Sequence, residues 1–398
     1  MGPTRQPGKR VRGALAIGCL TVLAAGCLAP RPAADTDMEN TANQTVLDTL
    51  QSVRERFAPD SHLAIFNIKA RQDGGGVTLQ GEVDNPAARQ AALEAVAAAG
   101  FRVSDQVNVL PDSRLGGRVW GIATLSVVNA REKPGHASEM GTQLLMGNVF
   151  RLWKSRTNWF LLQGDDGYLG WTEAGAFTAC TRQEAEAWQT APLLTVTAWE
   201  ERILEQPSAD SLPVSDVVMC DLVKHLGEEG HWFKVALPDG RSGYLPKSAA
   251  EDEAQWRKSR SPTPENIERT AKSLLGRPYF WGCNSIRGMD CSGFSKLVFH
   301  LNGIELNRNA SQQCRQGIEV PLGEDLKHLQ KGDLLFFGRP DRRTGLETIT
   351  HVGIYLGDKL FIHSSENVHI SSLDPRSPLR DRLRIRSLLH ARRVLPAP

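Results

Sequence analysis

Cysteine is scarce in this chain, with seven in 398 residues. None falls in a CxxC or Cys/His pattern with ligand spacing, so no zinc and no other metal or cofactor is expected. A surplus of charge is missing too. Lys and Arg number 47 against 45 Asp and Glu, a formal +2, and nucleic-acid binders concentrate positive charge on one face. Nucleic acid is therefore not an expected partner. Nor is there a long hydrophobic run: the apolar stretch near the N-terminus falls short of the ~20 residues that cross a bilayer. What remains is a chain with 40% apolar residues, soluble and globular, with room for about two to four domains.

The N-terminus is laid out as an export signal. MGPTRQPGKRVR is basic with no acid, GALAIGCLTVLAAG is apolar, and Cys27 follows. A charged region, a short apolar region and small residues before a cut site define a secretory signal. LAAGC also resembles a lipobox, which implies lipidation of Cys27; an ordinary cleaved signal with an incidental cysteine is the alternative. Residues 1–27 are expected to be the signal and 28–44 a linker. The protein is then exported to the cell envelope and tethered to a membrane through lipid. Export changes how the other cysteines read. Cys180, Cys220, Cys283, Cys291 and Cys314 are odd in number, which leaves an unpaired thiol.

Residues 45–113 read as a small α/β domain. Val46, Leu47, Leu50, Val53 and Phe57 recur at helical spacing, two alternating strands flank a DGGG turn, and Asn85-Pro86 opens a second helix. VSDQVNVLP reads as the last strand. The order and the VTLQGEV segment resemble a BON domain, a module linked to envelope and phospholipid surfaces; an unrelated α/β spacer is the alternative. Residues 114–190 turn all-β. VNAREKP, QLLMGNVFRLWKS and NWFLLQGDDGYLGWT resemble a bacterial SH3-like domain, and residues 191–255 echo it, with DGRSGYLP answering DGYLGW. Small barrels are expected, with Trp120, Trp153, Trp159, Trp171 and Trp232 in their cores.

The last domain, 256–398, holds GMDCSGF. Cys291 opens an amphipathic helix in which Phe294, Leu297, Val298 and Leu301 share a face and Gly303 stops the helix. The first turn of a helix offers a positive dipole end and free N–H groups, which favour thiolate and prepare covalent catalysis. Downstream, THVGIYLGDKLFIHSS carries His351 and His363 in two strand-like runs around a turn, a hairpin that aims both rings at one edge. One ring can take the thiol proton while the other orients it.

GRPYFWG, GMDCSGF, LQKGDLLFF, THVGIYLG and FIHSS, in this order, resemble the NlpC-type cysteine peptidases, papain-like hydrolases of bacterial cell-wall peptides. The resemblance implies Cys291 as nucleophile, His351 as base, His363 as its orienting partner, Tyr279 at the oxyanion and Trp281 as a cleft wall. The expected fold is a multidomain α+β chain: a small BON-like α/β domain, two SH3-like β-barrels, and a C-terminal papain-like α+β catalytic domain.

That domain order is similar to γ-D-glutamyl-L-diamino acid endopeptidases. It implies that the first barrel closes the cleft, with Glu139, Tyr168 and Asp290 holding a free amine and Ser292 nearby. Peptides derived from peptidoglycan are the implied partner, and a monomer is expected. Two segments depart from the family pattern. PYFWGC places Cys283 where a glycine is usual, and NRNASQQC carries Asn307, Asn309 and Cys314, so a Cys283–Cys314 disulfide is one expectation. Action on intact peptidoglycan, with the barrels as anchors, and a non-catalytic envelope scaffold are the rival readings.

Overall fold

The computed structural model describes residues 33–73, 76–340 and 345–396. The expected signal and Cys27 lie outside them. The first helix, α1 (Ala33–Phe57), starts inside the span expected to be linker. Its Val46, Leu50 and Val53 are buried against Ala88, Ala92 and Val96 of α2 (Pro86–Ala98), while Leu47 is exposed. Asn85 caps α2 by accepting the Ala87 N–H, and Pro86 fills its first turn, where an amide proton would lack a partner. Strand β1 (Phe66–Asp73) runs antiparallel to β2 (Gly76–Val83), and β2 parallel to β3 (Arg102–Val109). Two helices on one face of three strands bury a single apolar layer.

Two barrels follow. The first comprises β4 (Trp120–Ala123), β5 (Val127–Arg131), β6 (Met140–Leu145), β7 (Val149–Arg156), β8 (Trp159–Gln163), β9 (Leu169–Glu173) and β10 (Phe177–Cys180). The second comprises β11 (Leu193–Val196), β12 (Glu200–Leu204), β13 (Pro213–Val218), β14 (Leu222–Glu229), β15 (Trp232–Ala236), β16 (Ser242–Pro246) and β17 (Ala250–Asp252). The first sheet runs β10-β4-β7-β8-β9-β5-β6; read in the same sense, the second runs β17-β11-β14-β15-β16-β12-β13. Strand for strand, the orders are identical.

Each barrel is followed by a short helix, α3 (Arg182–Gln189) or α4 (Glu253–Lys258), that buries one tryptophan, Trp188 or Trp256. The five barrel tryptophans expected in the cores are instead half-buried. The first core is built from Val128, Phe150, Leu152 and Leu162, because barrels this small have room for aliphatic and phenyl groups but little for indole. Trp153 and Trp171 pack outward on Ile65, Leu110, Leu161 and Leu169, sealing the N-terminal domain to the first barrel.

The C-terminal domain opens with α5 (Pro264–Ser273), capped by Thr263. The hairpin β18 (Asn284–Ser285) and β19 (Gly288–Met289) leads into α6 (Cys291–His300), followed by α7 (Ala310–Gln313). The antiparallel sheet has the order β20-β25-β21-β22-β23-β24. Its strands are β20 (Ile318–Glu319), β21 (Leu334–Pro340), β22 (Glu347–Gly357), β23 (Leu360–Ser364), β24 (Val368–Ser372) and β25 (Leu388–Arg393), with α8 (Arg382–Ser387) before the last. Helix α6 packs across β22 and β23. Phe294, Leu297 and Val298 sit against Phe336, Val352, Ile354 and Ile362 in the largest core of the molecule.

Candidate active site

The sequence sets the start of α6 with care. Asp290 caps the helix by accepting the Gly293 N–H at 2.7 Å, which leaves Cys291 as its first residue. A Cβ on Gly293 would lie 2.2 Å from the Cys283 carbonyl oxygen, so only glycine lets the preceding loop cross the helix here. Gly282 has φ 75° and would carry a Cβ 2.2 Å from the Met140 carbonyl oxygen of β6. That close approach brings the first barrel onto the catalytic loop. Gln143 and Asn284 complete the joint: the Gln143 N–H donates to Asn284 Oδ1 at 2.8 Å, and the Asn284 N–H to Gln143 Oε1 at 3.2 Å.

Strands β22 and β23 bring the two histidines together. His351 Nε2 lies 2.8 Å from His363 Nδ1, and His363 Nε2 lies 3.1 Å from Ser371 Oγ. Both rings are buried. Burial, then the Arg384 guanidinium, holds His351 well below the ordinary imidazole range. His363 falls to about 3, mainly by burial and then through His369. Cys291 is buried as well, and its thiol is pushed up to about 11, first by burial and then by Asp290. The N–H groups of Val352 and Ser292 aim at the sulfur and oppose that shift. Sequence reasoning expected the helix start to favour thiolate; desolvation outweighs it. Burial thus disfavours charge on the thiol and on the imidazole alike.

A cleft of about 1090 Å³ opens over Cys291. Tyr279 and Trp281 form one wall, and Trp281 is 65% exposed. Burial, followed by the charges of Cys291 and Asp290, raises the Tyr279 phenol, so it remains a protonated donor. The first barrel supplies the far wall. Tyr168 is buried there, and its hydroxyl donates to Glu132 Oε1 at 3.3 Å. Glu139, the acid expected beside Tyr168, lines the cleft as Glu132 does, and both acids are exposed on its rim; the Tyr168 hydroxyl bonds Glu132. The two acids face each other across one hairpin mouth, where the Glu132 N–H donates to the Glu139 carbonyl at 3.0 Å.

Asp290 has little capacity left for an amine. Its Oδ1 accepts from Gly293 N, Ser292 Oγ at 3.1 Å and Arg308 Nη1 at 3.1 Å. Its Oδ2 accepts from Gly282 N at 3.0 Å and Arg308 Nη2 at 2.5 Å. Five donors on about four lone-pair sites saturate a carboxylate. Ser292 is drawn into the same network, receiving Arg308 Nη1 at 3.0 Å. Arg308 is wholly buried, and sequence reasoning missed it, as it missed Glu132. The NRNAS segment carried the clue, but its asparagines drew the attention.

The five described cysteines are all free and buried, so no Cys283–Cys314 disulfide forms. Cys283 sits by Asp290 and Arg308, whereas Cys314 sits by Arg392 on β25. The two thiols face different neighbourhoods.

Residues 276–386 match the NlpC/P60 family, 130–176 the bacterial dipeptidyl-peptidase SH3 domain, and 48–111 the BON domain. A gamma-D-glutamyl-L-lysine dipeptidyl-peptidase of Bacillus cereus is 31% identical over 239 residues, covering 58% of this chain and 68% of the relative. Dipeptidyl-peptidase 6 of Lysinibacillus sphaericus is 32% identical over 193 residues, 44% of this chain and 63% of the relative. In structure, the chain is similar to a solved NlpC/P60 family protein from Bacillus cereus. The TM-score is 0.59 at 24% identity, over 70% of this chain and 100% of the other. These likenesses span the first barrel and the domain that holds Cys291, His351 and His363, and the chain belongs to the NlpC/P60 family of cysteine peptidases.

Proposed function

We propose that the protein cleaves the bond between γ-D-Glu and a diamino acid, meso-diaminopimelate or lysine, in peptidoglycan-derived peptides with a free N-terminal L-Ala. Cys291 is the nucleophile. His351, whose Nε2 is engaged by His363, takes the thiol proton on its other nitrogen as sulfur attacks the γ-carbonyl. The tetrahedral oxyanion is met by the Tyr279 hydroxyl and backbone N–H groups. Collapse expels the diamino-acid amine, which leaves with the proton from His351; water then hydrolyses the thioester.

One observation carries the substrate reading: Glu132 and Tyr168 close the cleft at one end, with Glu139 also on the rim. A carboxylate there pairs with an ammonium, and burying that ammonium unpaired would cost several kcal/mol. Intact peptidoglycan, whose alanine is acylated, offers no ammonium. The test is turnover of L-Ala-γ-D-Glu-diaminopimelate against its N-acetylated analogue by wild type and Cys291→Ala. The free-amine peptide should be strongly preferred, and Cys291→Ala should abolish both activities. A wild-type ratio near one would replace this reading with action on intact peptidoglycan.

The signal-like N-terminus ending at Cys27 and the BON match to 48–111 support placement in the cell envelope with a lipid tether. Cys27→Ser should then move the protein from the membrane fraction to the soluble exported fraction; unchanged fractionation refutes the tether.

A further inference from the structure

We propose that the N-terminal α/β domain is part of the peptide cleft and that its His62 is a specificity-determining residue at the amine end. This rests on the amine-clamp reading above. His62 lines the same cleft as Cys291, although it precedes both barrels in sequence. Its ring stacks on Tyr168, with centroids 5.2 Å apart and planes 22° apart. Its Nε2 stands 3.9 Å from Glu132 Oε1.

Three parts of the molecule hold the turn that carries it. The Leu169 N–H of the first barrel donates to the His62 carbonyl at 2.8 Å, and Gln163 Nε2 to the Leu63 carbonyl at 2.8 Å. From the catalytic domain, Gln312 Nε2 donates to Asp60 Oδ2 at 2.8 Å. Within the turn, the His62 N–H donates to Asp60 Oδ1 at 2.9 Å. The apolar seam of Ile65 and Leu110 on Leu161 and Leu169 keeps the domain from lifting away. A side chain anchored this way is a built wall.

The chemistry follows from Asp60. Its carboxylate only accepts, and His62 Nδ1 lies 3.1 Å from Oδ1, so the neutral ring carries its proton on Nδ1. Nε2 is then an acceptor facing a second acceptor, Glu132 Oε1. Two acceptors at 3.9 Å are too far apart to touch and well placed to share a donor between them. A primary ammonium, with three N–H groups, can donate to both and keep one for a third partner. An acetylated amine has one N–H and adds an acyl group where the His62 ring stands. The α/β domain thereby helps measure the peptide from its alanine end.

The test uses the full chain and both peptides. His62→Ala should raise KM for the free-amine peptide about tenfold with kcat little changed, and lower the free-to-acetylated preference by at least as much. His62→Gln, which restores an acceptor and retains the backbone bonds of the turn, should recover most of that preference. Asp60→Asn should lose part of it, because an amide can donate to Nδ1 and move the ring proton to Nε2. A wild-type preference left unchanged by His62→Ala and by Asp60→Asn overturns the inference and leaves the clamp reading standing. Loss of both activities in parallel, with recovery by neither variant, makes His62 structural only and overturns it too. A wild-type ratio near one overturns the clamp itself.

Discussion

The two barrels share one strand order and differ in what their loops face. In the first, the Glu132 N–H bonds the Glu139 carbonyl at the hairpin mouth; in the second, the Glu205 N–H bonds the Leu212 carbonyl at 2.9 Å. Glu205 is thus the counterpart of Glu132, and an acid is present in both. The Asp-Gly turns also correspond, with Gly164 N to Tyr168 O at 3.0 Å answering Leu237 N to Arg241 O at 2.8 Å. There the likeness ends. Tyr168 is buried in the cleft, whereas Arg241 is exposed and donates to Asp239 and the Val214 carbonyl. One backbone frame serves as a substrate wall where its hairpin mouth faces the cleft and as a support where it does not: the second barrel meets the catalytic domain through the Asp216–Arg287 ion pair and through Val218 and Cys220. Barrel topology says nothing about function; the neighbour decides it.

The largest expected break in this comparison is Glu132→Gln. A charge-assisted hydrogen bond in a partly desolvated site is worth about 1.5–3 kcal/mol net. Its loss from the transition state lowers kcat/KM for the free-amine peptide roughly 10- to 150-fold. Glu139→Gln, which leaves the Tyr168–Glu132 bond in place, and Glu205→Gln, in the second barrel, should each change it by less than about twofold. A Glu139 effect equal to that of Glu132 would place the ammonium on the other strand of the hairpin.

That pair shows how far the sequence could be read. Cys291, His351 and His363 were legible because each rests on local geometry: a capped helix start and a hairpin whose two strands carry one ring each. The amine clamp was legible to the hairpin but not to the residue. Glu132 and Glu139 flank the same turn, and Gly141 leaves room for the Glu132 carboxylate beside Tyr168, since a Cβ there would lie 2.8 Å from Glu132 Oε1. Arg308 and His62 were missed because their partners are distant in sequence: Asp290 for one, Tyr168 and Gln312 for the turn of the other. The raised Cys291 thiol was missed for a different reason. A helix start is visible in sequence, but the burial that opposes it is not.

The second barrel should matter to stability and leave specificity alone, and Asp221 is the place to test this. Its side chain is wholly buried between the barrels, with Oδ1 accepting the Met146 N–H of the first at 2.9 Å and Oδ2 the Val218 N–H of the second at 2.8 Å. Burial pushes its carboxyl well above the usual range, and the two N–H bonds pull the other way. Asp221→Ala leaves both donors without partners in a dry seam, at about 1–3 kcal/mol for each. The melting transition should fall by several degrees in scanning calorimetry. The Glu132–Tyr168 pair lies in other segments, and Gln143, three residues before Met146, keeps its own bonds to Asn284, so the free-to-acetylated preference of the remaining folded enzyme should stay at the wild-type value. Were that preference to drop together with stability, the second barrel would be holding the first in its catalytic position, and the division between wall and support would fail.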